Sequence, residues 1–238
     1  KIYTTGAEAA DYVWLAARTD SDASKRHKGI TIFMVSTDQP GYSFSPIHTI
    51  GGARTNVTYY DNMRCPANMI AGELNGGWKL VTSQLNHERV GLAACGINAL
   101  AMYSRVLAWA REAQPDGGRP IDVPWVQLAL AESHNILEAM RVMNWQAAWE
   151  NDHGEPGPAF SSAIKAGSSE AVIEVYRLLM DVLGAQGMLQ RGSAGAILQG
   201  DLENEYRSWQ INTFGGGVAE VMRDLVARFG LEMKAYKR

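Results

Sequence analysis

The sequence has few of the residues that build stapled folds. Two cysteines, Cys65 and Cys95, in 238 residues are too few for a disulfide framework and lack metal-ligand spacing. The five histidines are scattered, with no H-x3-H or H-x-x-E spacing, so no metal site is expected. A reducing, cytoplasmic setting fits this usage. No apolar run reaches membrane-spanning length and no signal peptide opens the chain, so no membrane span is expected. A net charge of −3 provides no basic footprint, which argues against nucleic acid as a partner. Internal repeats and low-complexity tracts are absent too. So is an initiator methionine. The opening Lys1-Ile2-Tyr3-Thr4-Thr5 reads as the middle of a strand, pointing to a piece of a longer protein.

What remains is a globular composition, 46% hydrophobic and 20% charged, with enough length for one or two cores. Residues 1 to about 72 read as β-structure. Asp11–Ala17 and Gly29–Val35 are rich in β-branched and aromatic residues, Arg18–Lys28 is a polar connection, and Tyr42–Ser45 and Val57–Tyr60 alternate as half-buried strands do. Their aromatics suit a core and a sheet face better than a stacking platform. After Gly76-Gly77 the pattern becomes helical. A long helix is expected from there to about Glu112, a second from about Val123 to Glu150, and a third from Phe160 to about Leu183. Further helical segments cover about Leu198–Trp209 and Val218–Lys237. Long antiparallel helices on short loops make a bundle. The expected fold class is α+β, a small antiparallel β-domain (1–74) followed by an all-α helical bundle (75–238).

The first long helix holds the most informative residue. On a 3.6-residue period Val81, Leu85, Leu92 and Cys95 share a face, and Glu88 falls on it. Its i−4 and i+4 neighbours are Gln84 and Leu92, so no cation stands at helical pairing distance. Burial there would disfavour the charged form, as a general base acting at neutral pH requires. The small residues Gly91, Ala93, Ala94 and Gly96 leave room for a neighbouring helix or a flat ligand. Leu183-Gly-Ala-Gln-Gly187 and Phe214-Gly-Gly-Gly217 lie at helix ends. Each is either a C-cap or a set of backbone N–H groups facing an anion or carbonyl oxygen. Neither is a G-x-G-x-x-G after a strand, so a Rossmann site is not indicated.

Together these residues resemble the acyl-CoA dehydrogenase family over the whole chain. The opening Lys-Ile-Tyr-Thr-Thr-Gly is similar to the family's strand with a Trp-Ile-Thr/Ser signature that covers the flavin. Tyr59-Tyr-Asp-Asn-Met-Arg-Cys-Pro resembles its F-D-x-V-R-V-P exit, and Gly77-Trp-Lys-Leu through Leu85-Asn-His-Glu-Arg-Val its first long C-terminal helix. The family's N-terminal helical domain and the first half of its β-domain have no counterpart here.

The resemblance implies an FAD-dependent α,β-dehydrogenation of an acyl-CoA, with the flavin supplying the redox chemistry. It implies Tyr3 and Thr5 beside the flavin ring, Gly184 and Gly187 on the cofactor side, and Leu85 and Leu92 lining the acyl group. The family's commoner base, the Glu of a Glu-Gly-Thr tripeptide, aligns with Gly216. Glu88 takes the alternative place in the long helix, leaving Gly216 an oxyanion-facing amide. The Arg of R-x-x-F-G and the Gln before the glycine turn, which grip the flavin's ADP half, are replaced at Gln114–Gly118 and Asp181. That loss resembles the heterotetrameric acyl-CoA dehydrogenases of actinobacterial steroid side-chain breakdown. It implies a homologous partner subunit and a bulky, sterol-derived acyl group, with an electron-transfer flavoprotein as candidate acceptor. Two rivals stand beside this: a non-catalytic structural subunit, and a flavin enzyme of nitroalkanes, though the latter use Asp where this chain offers Glu.

Overall fold

The computed structural model describes residues 1–94, 96–154 and 157–234, with the backbone alone at 23, 86, 87, 89, 90 and 92–94. The chain divides into two compact units, Lys1–Leu85 and Asn86–Arg238.

The first unit is built on β2 (Ile30–Ser36), which pairs antiparallel with β1 (Tyr12–Arg18) from Tyr12↔Ser36 to Arg18↔Ile30. On its other side lies the short β5 (Ile70–Ala71), paired at Ile32↔Ala71. Flanked on both edges, β2 buries Thr31, Ile32 and Val35 rather than alternating strictly. A separate hairpin pairs β3 (Tyr42–His48) with β4 (Arg54–Tyr60), where Thr55, Asn56 and Thr58 are buried. Tyr12, Trp14 and Tyr59 lie exposed on strand faces, so the aromatics here belong to surfaces more than to the core.

The opening residues are not a continuous strand. Lys1 and Thr4 bond to the backbone of β4, and Ile2 forms a single bridge to Val57. Between them Tyr3 adopts a left-handed φ of 64°, and a turn follows over Thr5–Ala9. That break ends the two-residue alternation, so Tyr3 and Thr5 are not related by a strand period.

The border between the units falls inside α1 (Gly77–Ala94), whose N-terminus lies close to the division at 74/75 read from the sequence. The helix expected to run to about Glu112 is described in two parts, α1 and α2 (Gly96–Arg111), on either side of Cys95, which lies outside the described residues. The second unit centres on α4 (Pro158–Leu183), packed against α2, α3 (Pro124–His153), α5 (Asp201–Trp209) and α6 (Ala219–Phe229). On α4 the stripe Ile164, Val172, Val175, Leu179 and Val182 is buried, each such side chain contributing about 1.5–3 kcal/mol. Facing it from α3 are Leu130, Leu137, Met140 and Ala147, while Ile136 and Met143 are half-buried. Trp209 meets Tyr176 edge-on and donates its Nε1–H to Ser169 O at 3.2 Å.

The last helix stops at Phe229 rather than reaching Lys237. Both Gly230 and Leu231 donate back to Val226 O, and Glu232 takes a left-handed φ of 53°, a cap that turns the chain off the helix axis. Among the described residues, no helix is long and apolar enough to cross a membrane.

Candidate active site

Each unit contributes a separate group of the residues singled out above. In the first, the Tyr3–Thr5 segment is clamped to β4. The Thr5 hydroxyl donates to Thr55 Oγ1 at 3.1 Å, and Thr4 Oγ1 lies 3.1 Å from Thr58 Oγ1. Asn56 is fully buried and donates through Nδ2 to Thr4 O at 3.1 Å and to Glu8 Oε2 at 2.6 Å. Arg54 completes the clamp, with Nη2 2.8 Å from Glu8 Oε1. Hydrogen bonding from Arg54, then from the Glu8 backbone and Asn56, holds the Glu8 carboxyl well below its ordinary value, at about 2. No local spacing announces this clamp, because Glu8 and Asn56 are 48 residues apart. Tyr3 and Thr5 are themselves exposed, and Asn56 Oδ1 is buried without a hydrogen-bond partner among the described residues.

In the second unit Glu88 sits on α1, exposed, with Gln84 also exposed one turn before it. The burial expected around its carboxylate is therefore not found among the described residues. Leu85 is half-buried, and the side chain of Leu92 lies outside the described residues.

Gly216 lies in a turn between a short 3-10 segment (Gln210–Thr213) and α6, with φ of 68°. Gly217 follows at φ 126°, where a Cβ would lie 2.6 Å from Met222 Cε. A side chain at 217 is thus strained by torsion, and Met222 would have to shift to admit it. The turn is held by Gly215 N–H to Ile211 O at 2.8 Å, by Gly217 N–H to Phe214 O at 3.3 Å, and by the Lys165 ammonium donating to Gly217 O. Lys165, one of the largest fully buried side chains in the chain, was not flagged by sequence reasoning. Its signal was there: a lysine directly after Ile164 on the apolar stripe of α4.

Gly184 caps α4 at φ 64° and ψ −151°, its N–H donating to Asp181 O and Met180 O. Its amide is thus spent on the helix end, the C-cap alternative of the sequence reading. Gly187 is buried, and a Cβ there would lie 2.7 Å from Leu183 Cβ. Beside them is a cavity of about 290 Å³ lined by residues including Trp125, Arg177, Met180, Asp181 and Met188. Its one guanidinium is already engaged, Arg177 lying 2.6 Å from Glu174 and 2.8 Å from Asp181. Hydrogen bonding from Arg177 draws the Glu174 carboxyl below its ordinary value, while the same pairing raises Arg177. With Asp181 in its lining and its guanidinium already paired to Asp181 and Glu174, this pocket does not suit a pyrophosphate.

Comparison with known proteins agrees with the sequence resemblance. Residues 75–231 match the family model "Acyl-CoA dehydrogenase, C-terminal domain". Acyl-CoA dehydrogenase FadE26 of Mycobacterium tuberculosis is 42% identical, the match covering all of this chain and 61% of that protein. Among solved structures, the Tcur3481-Tcur3483 steroid ACAD is 48% identical with a TM-score of 0.93, over 99% of this chain and 60% of that one. The ChsE4-ChsE5 complex from Mycobacterium tuberculosis is 42% identical with a TM-score of 0.90, over 99% of this chain and 61% of its counterpart. The chain thus spans about three fifths of the length of these relatives.

Proposed function

We propose that this chain, which belongs to the acyl-CoA dehydrogenase family, forms part of a subunit of an FAD-dependent enzyme that dehydrogenates an acyl-CoA thioester across its α and β carbons. Glu88 is the base. Its carboxylate takes the α-proton, and the Gly216 N–H meets the thioester oxygen, where enolate charge develops. A bound flavin would supply the acceptor for the β-hydride. Thr5, held by Thr55 and by the Asn56 contact to Thr4 O, would stand on the ring side of that flavin.

One observation supports this reading: Gly216, which the resemblance puts at the place of the commoner base, is a glycine in a left-handed turn, while α1 carries Glu88. The ADP half of the cofactor is assigned to a homologous partner chain, because the pocket beside Gly184 offers a carboxylate and an already paired guanidinium where a pyrophosphate needs donors. Two similar structures are described by pairs of differently named chains, which supports a heteromer. A bulky, sterol-derived acyl group is the favoured substrate, on the likeness to the Tcur3481-Tcur3483 steroid ACAD. An electron-transfer flavoprotein is the proposed acceptor.

Glu88→Gln tests the base. The amide is nearly isosteric but cannot accept the proton, so turnover falls by at least the ~10²–10⁴ of general-base catalysis, with flavin content and fold intact. Near-normal kcat sinks the assignment. The same pocket beside Gly184, and the exposure of Glu88, favour a second reading, a non-catalytic subunit that shapes an active partner. Unchanged turnover in the Gln variant is its signature.

A further inference from the structure

Lys165 is 1% exposed on α4. The residues one turn either side of it, Ser161, Ser162, Ser168 and Ser169, are buried as well, so a polar strip runs along an otherwise apolar helix face. Burying an ammonium is costly unless it is hydrogen-bonded. This one donates to Gly217 O, one residue before Val218, which precedes the first turn of α6. A cation beside a helix N-terminus opposes the helix dipole, so stabilising α6 does not explain it. The chain it holds does. Gly215-Gly-Gly217 has no Cβ to restrict it, and two of its residues sit at positive φ. Upstream of Gly216 the turn is fixed by the 2.8 Å bond to Ile211 O; downstream, the 3.3 Å bond to Phe214 O is long, and Lys165 supplies the other restraint.

We propose that Lys165 is a positioning residue: by pinning the Gly217 carbonyl from inside the bundle, it holds the Gly216 N–H in the direction the thioester oxygen requires. This rests on the reading of Gly216 given above. Lys165 is buried in the bundle, so in this proposal it aligns the amide without taking part in proton transfer.

Lys165→Met keeps length and apolar stem and removes the donor. Hydrogen exchange, followed on peptides covering residues 210–218 of the chain in its flavin-loaded complex, is expected to quicken by at least ~10-fold. In the same preparation kcat falls by about 10-fold or more with KM little changed, as for an interaction made only in the transition state. Exchange at the wild-type rate overturns the proposal. Faster exchange with unchanged kcat upholds the pin and overturns the role given to Gly216, so the two failures are told apart. Should the Met variant not fold, Lys165→Gln replaces it. Its shorter amide reaches Gly217 O poorly, and the same exchange outcomes decide.

Discussion

Gly217→Ala puts the reading of the glycine turn under direct stress. At φ 126° an L-residue is strained by about 1–3 kcal/mol. The new methyl would lie 2.6 Å from Met222 Cε and 2.9 Å from its Sδ. Met222 is 1% exposed, so it moves only by disturbing the core, at a cost of about 1–3 kcal/mol. The sum is about 2–6 kcal/mol, which for a chain of this size lowers Tm by roughly 4–24 °C. Thermal and urea denaturation followed by circular dichroism measure it. A companion variant separates the two causes. Met222→Ala alone costs about 2–5 kcal/mol for its cavity, yet makes room for the methyl. The double variant is therefore less destabilised than the sum of the singles by the steric part, about 1–3 kcal/mol. A Gly217→Ala protein within about 0.5 kcal/mol of wild type, or strict additivity with Met222→Ala, refutes the reasoning.

Two other outcomes follow from the clamp and the carboxylate pocket. The Glu8 carboxyl titrates at about 2 in the fold against an ordinary 4.5. Its depressed value makes its contribution to stability complete above about 4.5 and lost as pH falls toward about 2. Wild type should therefore lose stability faster than Glu8→Gln across that window, and parallel acid profiles would contradict the clamp. If the two ADP-gripping side chains are lost as proposed, each worth roughly 1.5–3 kcal/mol as a charge-assisted donor, flavin binding by the chain alone should be weaker by about two to four orders of magnitude. The chain expressed alone should be flavin-poor, and coexpression with its partner should give about one flavin per pair of chains. Absorbance against protein mass measures this, and one tight flavin per solitary chain rules the heteromer out.

Much of the fold was legible because burial leaves a period in the sequence. The stripe on α4 and the run Gly29–Val35 could be read directly. Where the reading strayed, the cause was a backbone choice made by long-range contacts. Tyr3 turns left-handed because Lys1 and Thr4 are both tied to β4, more than fifty residues on. Glu232 ends α6 through a cap that helix propensity does not encode. In the proposed site, Glu88 could be singled out by its place on a helix face and by the family resemblance, and Gly216 by that resemblance alone. The Glu8–Arg54–Asn56 clamp and the Lys165 pin could not, since each joins residues 46–52 positions apart. Exposure of Glu88 was missed for a different reason: periodicity shows which residues share a helix face, not whether anything covers it.

The central claim is that Glu88 removes the α-proton. An acyl-CoA analogue with an α-methylene but a heteroatom in place of the β-carbon can lose that proton and cannot surrender a hydride, which isolates the step. Incubated in heavy water with the flavin-loaded complex, it should exchange its α-protons for deuterium, followed by proton NMR. Glu88→Gln, at unchanged flavin content, is predicted to abolish that exchange. Exchange continuing at the wild-type rate in the variant would show that the base lies elsewhere.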